Sequence, residues 1–381
     1  MRFSSFTDLF RLYTLKDVLQ RVSIPVNVEE NKLYYQIGIR SHSKGIFHKE
    51  AETGKQIGNK RIFWIEPNCL ILNIVFAWEQ AVAKTSEKEV GMVASHRFPM
   101  YKVLNNSLDY IVDFFKTEKG KQLLQMASPG GAGRNKTLNQ DFFLNSKIYL
   151  PSLNEQLKTS NLIELIEDRI ETQIKIIDDC LSYRNAIVDY FFESLSSNWR
   201  QVKLSNILKE YSELHVKDNS IIHATLSKEG IYPKTDRYDR DFLVKDEEKK
   251  YKVSHLNDIC YNPANLKFGV ITRNTFGDCI ISPIYITFTI NNNCLPKFIE
   301  LLVTRKQFIT QARKYEQGTV YERMAVNSSD LLSMNVLIPS LSIQQKIVDI
   351  VDTIDNKITN EKELLNLYKT QKDYLLKNMF I

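Results

Sequence analysis

The chain has 381 residues, 43% hydrophobic and 25% charged, which is the balance of a globular protein long enough for two or three domains. No run of about 18 uncharged apolar residues occurs and Asp8 and Arg11 interrupt the N-terminal segment, which argues against a membrane span and a secretion signal. The five cysteines are scattered without a Cys-x-x-Cys pair, so we expect reduced thiols, a cytoplasmic location and no zinc site, while the net charge of +6 is compatible with a polyanionic partner.

Residues 1–147 are predicted to form a domain of mixed α/β structure. Short β-rich runs such as "CLILNIVFAW" (69–78) precede "YIVDFFKTEKGKQLLQM" (110–126), whose apolar residues recur at helical spacing. The glycine-rich "SPGGAGRNK" (128–136) lacks the Gly-Lys-Ser/Thr of a nucleotide-binding P-loop. It is predicted to be either a flexible connection or a phosphate contact made by backbone N–H groups together with Arg134 and Lys136.

A long amphipathic helix is predicted after "YLPSLNEQLK" (149–158). Pro151 cannot lie inside a helix, and Asn154 is a good N-cap residue. Nearly 40 residues without proline or glycine follow, which gives a helix of roughly 58 Å at about 1.5 Å per residue. Most of its apolar residues are three, four or seven apart and share one face, namely Ile163, Ile166, Ile170, Ile174, Ile177, Leu181 and Val188.

Residues 198–335 are predicted to form a second mixed α/β domain that repeats the first. "TLKDVLQRV" (14–22) resembles "KLSNILKEY" (203–211), and "SKGIF" (43–47) resembles "KEGIY" (228–232). The two domains are therefore expected to share a fold while differing in most side chains.

Two motifs of the second domain resemble catalytic sites only superficially. "YNPAN" (261–265) lacks the second proline and the aromatic residue of an adenine-methyltransferase motif, so a turn is favoured. "DRYDRD" (236–241) is acidic, like a nuclease site, but its interleaved arginines favour a solvated loop. The six histidines show no metal-ligand spacing. We predict no catalytic, metal-binding or cofactor-binding residue on this chain.

The C-terminal segment repeats the central helix. "LIPSLSIQQK" (337–346) follows "YLPSLNEQLK" by 188 residues, shares Pro, Ser, Leu, Gln and Lys with it, and aligns onward without a gap. Pro339 and Ser342 mark the second start. The second apolar stripe consists of Ile347, Val351, Ile354, Ile358, Leu365, Tyr368, Leu375 and Met379.

Two amphipathic helices of matched length predict an intramolecular coiled coil. The alternative is a pair of unrelated long helices, each packed on its own domain. We assign the fold to the α+β class, with two mixed α/β domains separated by long helices in segments 148–197 and 336–381 and related by a pseudo-twofold axis.

This organisation resembles the specificity subunit of Type I restriction–modification enzymes, and the resemblance covers essentially the whole chain. It rests on "LPSLNEQ" and "IPSLSIQQKI", on the Gly…Arg loops before them, and on the closing "LLKNMF". Ile343 stands where the family usually carries glutamate.

The resemblance implies a non-catalytic subunit of an adenine methyltransferase or Type I restriction endonuclease complex. Each domain would be a target recognition domain that contacts one half of a bipartite site on double-stranded DNA. The helices would set the spacer between the halves and dock two methyltransferase subunits. Those partners would bind S-adenosylmethionine, and a restriction motor–nuclease subunit is a further partner of such complexes.

Loops that carry Arg, Lys, Asn and small polar side chains suit base edges and phosphates. Such loops occur at 39–49, 95–98, 224–240 and 272–278, in addition to the glycine-rich stretch. The candidate DNA contacts are Arg40, Ser43, Lys44, His96, Arg97, Arg134, Lys136, Lys228, Lys234, Arg237, Arg273 and Asn274. Arg305 and Lys306 are predicted to lie on a solvated helix face instead.

The residues leave one alternative function open, a coiled-coil scaffold or adaptor whose domains bind protein and not DNA. The paired domains and the positive charge favour DNA binding. Duplex binding that falls steeply as salt rises would distinguish the two.

Overall fold

The computed structural model describes residues 2–130, 136–216, 221–234, 250–317 and 324–380. The chain divides into two compact units, of which unit 1 is Met1–Lys175 with Lys362–Ile381 and unit 2 is Ile176–Glu361. Each unit therefore combines one globular domain with a part of each long helix.

Unit 1 is built around four antiparallel strands that pair in the order Leu19–Val22, Met100–Val103, Leu70–Leu72 and Val82–Lys84. The elements that begin in this unit are, in chain order, β1 (Arg11–Thr14), α1 (Leu15–Val18), β2 (Leu19–Val22), β3 (Leu33–Tyr34), β4 (Ile37–Ile39), β5 (Ile46–His48), β6 (Glu52–Thr53), α2 (Gly54–Ile57), β7 (Ile62–Trp64), β8 (Leu70–Leu72), β9 (Val82–Lys84), β10 (Val93–Ser95), β11 (Met100–Val103), α3 (Leu108–Lys116), α4 (Glu118–Met126), α5 (Gln140–Asn145), β12 (Lys147–Leu150) and α6 (Leu153–Ser194). Strand β12 pairs with β1 and leads directly into the long helix α6.

The main core of unit 1 lies between this sheet and its helices. Leu70 and Tyr101 of the sheet belong to the same buried cluster as Ile111 of α3 and Ile163 of α6. The ring of Phe380, at the end of the chain, packs on Tyr110 with 4.7 Å between centroids. Burial of these side chains, each stabilising by about 1.5–3 kcal/mol, attaches the domain to the helices.

Unit 2 repeats the central sheet with antiparallel strands in the order Leu208–Tyr211, Ile286–Ile290, Ile259–Tyr261 and Ile271–Arg273. Its further elements are β13 (Arg200–Lys203), β14 (Leu208–Tyr211), β15 (Leu214–Val216), β16 (Ile222–Ser227), β17 (Gly230–Pro233), β18 (Lys250–Ser254), β19 (Ile259–Tyr261), β20 (Ile271–Arg273), β21 (Cys279–Ile281), β22 (Ile286–Ile290), α7 (Pro296–Thr304), α8 (Lys306–Ala312), α9 (Ser328–Ser333), β23 (Asn335–Ile338) and α10 (Leu341–Met379). Strand β23 pairs with β13 and leads into α10, as β12 leads into α6. Strands β15, β18, β21, β16 and β17 add a second sheet.

The two long helices contact each other within each unit. In unit 1, Lys372 of α10 lies 2.6 Å from Glu167 of α6. In unit 2, Arg184 of α6 forms an ion pair with Asp355 of α10. In unit 1 the first half of α6 therefore contacts the last part of α10, and in unit 2 the second half of α6 contacts the first half of α10. The predicted fold class and helix pairing are confirmed, and among the described helices none is apolar enough over a sufficient length to cross a bilayer.

Two details of the predicted helices are wrong. The long helices begin at Leu153 and Leu341, one residue before the expected caps, because the Ser152 and Ser340 carbonyls accept the first helical hydrogen bonds. Ile174 and Leu181 of the predicted stripe are 42% and 37% exposed, whereas the neighbouring Gln173 is buried.

The helical pattern at 110–126 forms two helices, α3 and α4, because Thr117 is extended between them. The Thr117 hydroxyl accepts a hydrogen bond from Gly120 N and so caps α4. Helices α7 and α8 of unit 2 are separated by Arg305 in the same way.

Candidate nucleic-acid interface

In unit 1, a strained loop between β4 and β5 carries three of the predicted contacts, Arg40, Ser43 and Lys44. His42 and Ser43 have φ values of 59° and 54°, a left-handed conformation that costs residues other than glycine about 1–2 kcal/mol each. The loop is held in place because His42 N donates to Glu79 O at 2.7 Å and Ser43 N donates to Gln80 O at 2.9 Å. Such strain persists only where the surroundings over-determine the backbone, so the loop is rigidly presented.

The side chains of this loop differ in exposure and therefore in role. His42 and Lys44 are exposed, and the Arg40 guanidinium lies 5.1 Å from the centroid of the Phe47 ring. The Phe47 ring crosses Gly38, where an added Cβ would lie 2.3 Å from the ring. The Ser43 hydroxyl is buried without a hydrogen-bond partner among the described residues. Ser43 therefore shapes the loop, while the two cations and His42 are available to a ligand.

The turn 73–80 also contacts the stretches that carry His96, Arg97 and Lys136. Ile74 N donates to Arg97 O at 3.0 Å, which attaches the loop that carries His96 and Arg97. The Lys136 ammonium lies 5.1 Å from the Trp78 ring centroid. Three stretches that are distant in sequence thus converge on one turn.

The convergence places several exposed cations around one turn. Arg40, Lys44, His96 and Arg97 are exposed, and neither Lys44 nor Arg97 has an ion-pair partner in the described part of the chain. Cations without a counterion keep their full attraction for phosphate. Arginine and lysine on loops also match the acceptor atoms of guanine in the major groove.

In unit 2, the hairpin β16–β17 corresponds to the hairpin β4–β5, as the sequence predicted. Gly45-Ile46-Phe47 and Gly230-Ile231-Tyr232 occupy the second strand or its start in each hairpin. The connection is shorter here, and Lys228 is exposed beside Glu229 at 3.5 Å. The partly exposed Lys234 continues the strand, and its N–H donates to His223 O at 2.8 Å.

The loop 272–278 uses its polar side chains for its own structure. The Arg273 side chain is only 16% exposed and pairs with Glu300 at 3.1 Å and Asn257 at 2.7 Å. Asn274 is fully buried, with its amide donating to Ser254 Oγ and Gly277 O. Because both groups are occupied, we place neither of them in the proposed interface.

Two exposed neighbours in unit 2, Lys267 and Phe268, were not predicted from the sequence. Asn262 caps the turn of "YNPAN" by accepting from Ala264 N at 3.1 Å, which confirms the predicted turn. The same turn exposes Lys267 above the ring of Phe268, which is 65% exposed. Val326 N donates to Pro263 O, as Leu138 N donates to Ile74 O in unit 1, so the two turns are equivalent. A lysine directly before an aromatic residue is the sequence signal that could have revealed this pair.

Other predicted residues have different outcomes. Arg134, Arg237 and the acidic "DRYDRD" lie outside the described residues. Arg305 was predicted to be solvated, but its side chain is 11% exposed, because it pairs with Asp189 and Glu193 and covers the Phe192 ring. No group of side chains that could hold a metal ion occurs among the described residues.

The glutamine of the repeated Pro-Ser-Leu-x-x-Gln motif fastens each domain to its helix, a role that the sequence did not reveal. Gln156 is 1% exposed; its Nε2 donates to Pro151 O at 2.9 Å and its Oε1 accepts from Ser107 N at 2.9 Å. Gln344 makes the same two bonds, to Pro339 O at 3.0 Å and from Leu295 N at 2.9 Å. The recurrence of this glutamine in both copies of the motif is the sequence signal that could have revealed its role.

Comparison with known proteins agrees with this architecture. Residues 247–368 match the family model described as the Type I restriction modification DNA specificity domain. No protein with a curated description matches the chain.

Solved structures resemble the chain over nearly its whole length. The HsdS subunit from Thermoanaerobacter tengcongensis covers 96% of this chain and 95% of its own, at 14% identity and a TM-score of 0.51. The Type I restriction–modification S subunit from M. genitalium covers 100% and 99%, at 13% identity and a TM-score of 0.56. A chain from a structure on assembly and conformational transition of the type I R-M system covers 97% and 97%, at 13% identity and a TM-score of 0.64. At these identities the likeness shows a shared fold.

Proposed function

We propose that this chain, which belongs to the specificity-subunit family of Type I restriction–modification systems, is a non-catalytic subunit that binds double-stranded DNA and selects its sequence. Each domain reads one half of a bipartite site. The long helices set the spacer between the halves and dock two methyltransferase subunits. Those subunits supply S-adenosylmethionine and the adenine chemistry, and a restriction motor–nuclease subunit completes the complex where the system restricts DNA.

The convergence of exposed cations on the turn 73–80 carries this proposal. Arg40 and Lys44 lie on one loop and Arg97 lies on another, and backbone hydrogen bonds attach both loops to this one turn. A rigid loop reduces the entropy lost on binding, which favours sequence selection over loose electrostatic attraction. The equivalent hairpin and turn of unit 2 carry different side chains, Lys228, Lys267 and Phe268, as a reader of a different half-site would.

The length of the two helices, 42 residues for α6 and 39 for α10, supports the proposed spacer. A pair of long helices is a stiff element whose length changes in steps of about 1.5 Å per residue, which suits a fixed gap between half-sites. Exposed apolar residues such as Leu165, Tyr183 and Tyr374 also lie on these helices, where they are available to protein partners.

A methylome tests the function directly. The chain is expressed with the methyltransferase subunits of its own system, and modified adenines are mapped by long-read sequencing. We expect a bipartite motif with a fixed gap that is present only when this chain is present. Replacing residues 1–147 by the domain of another specificity subunit should then change one half of the motif. An intact complex that methylates nothing and binds duplex DNA no better at low than at high salt would favour the scaffold function.

A further inference from the structure

One carboxylate on α6 joins three elements of unit 1. Glu167 accepts from the ammonium of Lys116 in α3 at 3.1 Å and pairs with Lys372 of α10 at 2.6 Å. The same Lys116 also pairs with Asp113 at 2.8 Å. Glu167 therefore links the globular domain to both long helices at a single point, which we call junction 1.

Unit 2 contains the same arrangement on the other helix. Asp355 of α10 accepts from Lys297 of α7 at 3.1 Å and forms a two-pronged ion pair with Arg184 of α6. We call this point junction 2. Asp355 follows Glu167 by 188 residues and Lys372 follows Arg184 by 188 residues, so the acid and the cation have exchanged helices between the units.

The junctions are ion-pair networks in partly buried surroundings. Glu167 is 38% and Asp355 is 29% exposed, while their cationic partners are between 19% and 26% exposed. Burial raises the pKa of each carboxyl, but the hydrogen bonds and charges of its two cations outweigh burial and hold the pKa below its ordinary value. Both acids are therefore ionised and bind two cations at once, which surface pairs such as Lys175–Glu171 on α6 do not do.

We infer that Glu167 and Asp355 are positioning residues, which fix the orientation of each domain on its helix pair and thereby the gap length that the protein accepts. The inference rests on the proposed function. The glutamines Gln156 and Gln344 each bond a domain to one helix only, and in unit 2 Arg305 pairs with Asp189 and Glu193 of α6 alone. A charged contact to both helices fixes the orientation of the domain, because hydrogen bonds between charged groups are directional. The basic partner comes from the domain helix in both units, although α3 and α7 place it at different positions.

The test measures gap selectivity in the intact complex. Glu167→Gln, Asp355→Asn and wild-type complexes are given a library of sites in which both half-sites are constant and the gap is one base pair shorter, unchanged or one base pair longer. We expect each variant to lose about tenfold in preference for the natural gap, the factor that corresponds to one charged hydrogen bond. Glu171→Gln removes a carboxylate from the same helix without touching a domain and should retain the wild-type preference. Glu167→Asp should largely restore it, because junction 2 is built on aspartate.

The outcomes separate the inference from the proposed function. Unchanged gap preference in both variants would overturn the inference. An equal loss of methylation at every gap length would also overturn it, because a general loss of folding lowers methylation at all gap lengths alike. A wild-type complex that methylates no bipartite site would overturn the proposed function instead, whatever the variants do. A variant that accepts a different gap length, while it methylates its best site as fully as the wild type does, would establish the junction as a determinant of spacing.

Discussion

Replacing Gln344 by alanine removes the side chain that joins α10 to the start of α7 in unit 2. In the wild type this glutamine is 1% exposed, its Nε2 donates to Pro339 O at 3.0 Å, and its Oε1 accepts from Leu295 N at 2.9 Å. Both partners are backbone groups that cannot move away. The alanine variant leaves a buried acceptor, Pro339 O, and a partly buried donor, Leu295 N, unpaired.

The expected loss of stability follows from these two unpaired backbone groups. Each unpaired buried backbone group costs about 1–3 kcal/mol, so Gln344→Ala should lower the free energy of unfolding of unit 2 by about 2–5 kcal/mol, including the space left behind. Gln344→Leu restores most of the volume but neither hydrogen bond, so it should lose about 2–4 kcal/mol. Gln345→Ala is the matched control, because Gln345 is exposed and its side chain donates to Asp349 one turn away on the same helix. Its effect should stay within about 0.5 kcal/mol.

Denaturant unfolding of the full chain, followed together with hydrogen exchange by mass spectrometry, measures the effect locally. The peptide that contains the Leu295 amide should exchange at least about tenfold faster in Gln344→Ala than in Gln345→Ala, as a loss of more than 1.4 kcal/mol requires. If the Gln344 and Gln345 variants unfold and exchange alike, the glutamine does not fasten the helix, and the explanation of the repeated motif is refuted. Gln344→Leu at wild-type stability would show that packing, not hydrogen bonding, explains its burial.

Further predictions concern the loop, its charges and pH. Lys44→Ala should weaken duplex binding and reduce the slope of log affinity against log salt by about one, whereas Lys175→Ala, which also removes one positive charge, should leave that slope unchanged in a fluorescence titration. His42→Gly should raise the free energy of unfolding by about 0.5–1 kcal/mol by relieving its left-handed backbone, yet lower DNA affinity because the loop becomes less rigid; higher affinity would contradict the proposed role of the strain. A hydrogen bond to Glu213 raises the pKa of His255 above 6.5, because its effect outweighs that of partial burial. The His255 imidazolium therefore stabilises the fold below pH 6.5, and this contribution is lost as pH rises through the raised pKa. His255→Gln should therefore destabilise the protein by less than about 1 kcal/mol near pH 5.5 and hardly at all near pH 9, and equal effects at both would exclude the ion pairs as the cause.

The sequence by itself determined the repeat, the long helices and the mixed α/β character of both domains. These features depend on local patterns, because helical spacing and a proline followed by a fixed motif constrain the backbone without help from distant residues. The 188-residue offset also predicted that the two halves share a fold, and the equal strand orders β2-β11-β8-β9 and β14-β22-β19-β20 agree.

Only the tertiary structure decided which polar side chains are free to bind. Arg97 and Arg273 look alike in sequence, yet Arg97 is exposed while Arg273 is buried against Glu300, and Asn274 is used within its own turn. The convergence on the turn 73–80 and the two cations on Glu167 join residues far apart in the chain. Such contacts depend on how the sheet and helices pack, and packing depends on all the side chains of a core together, so no local pattern contains it.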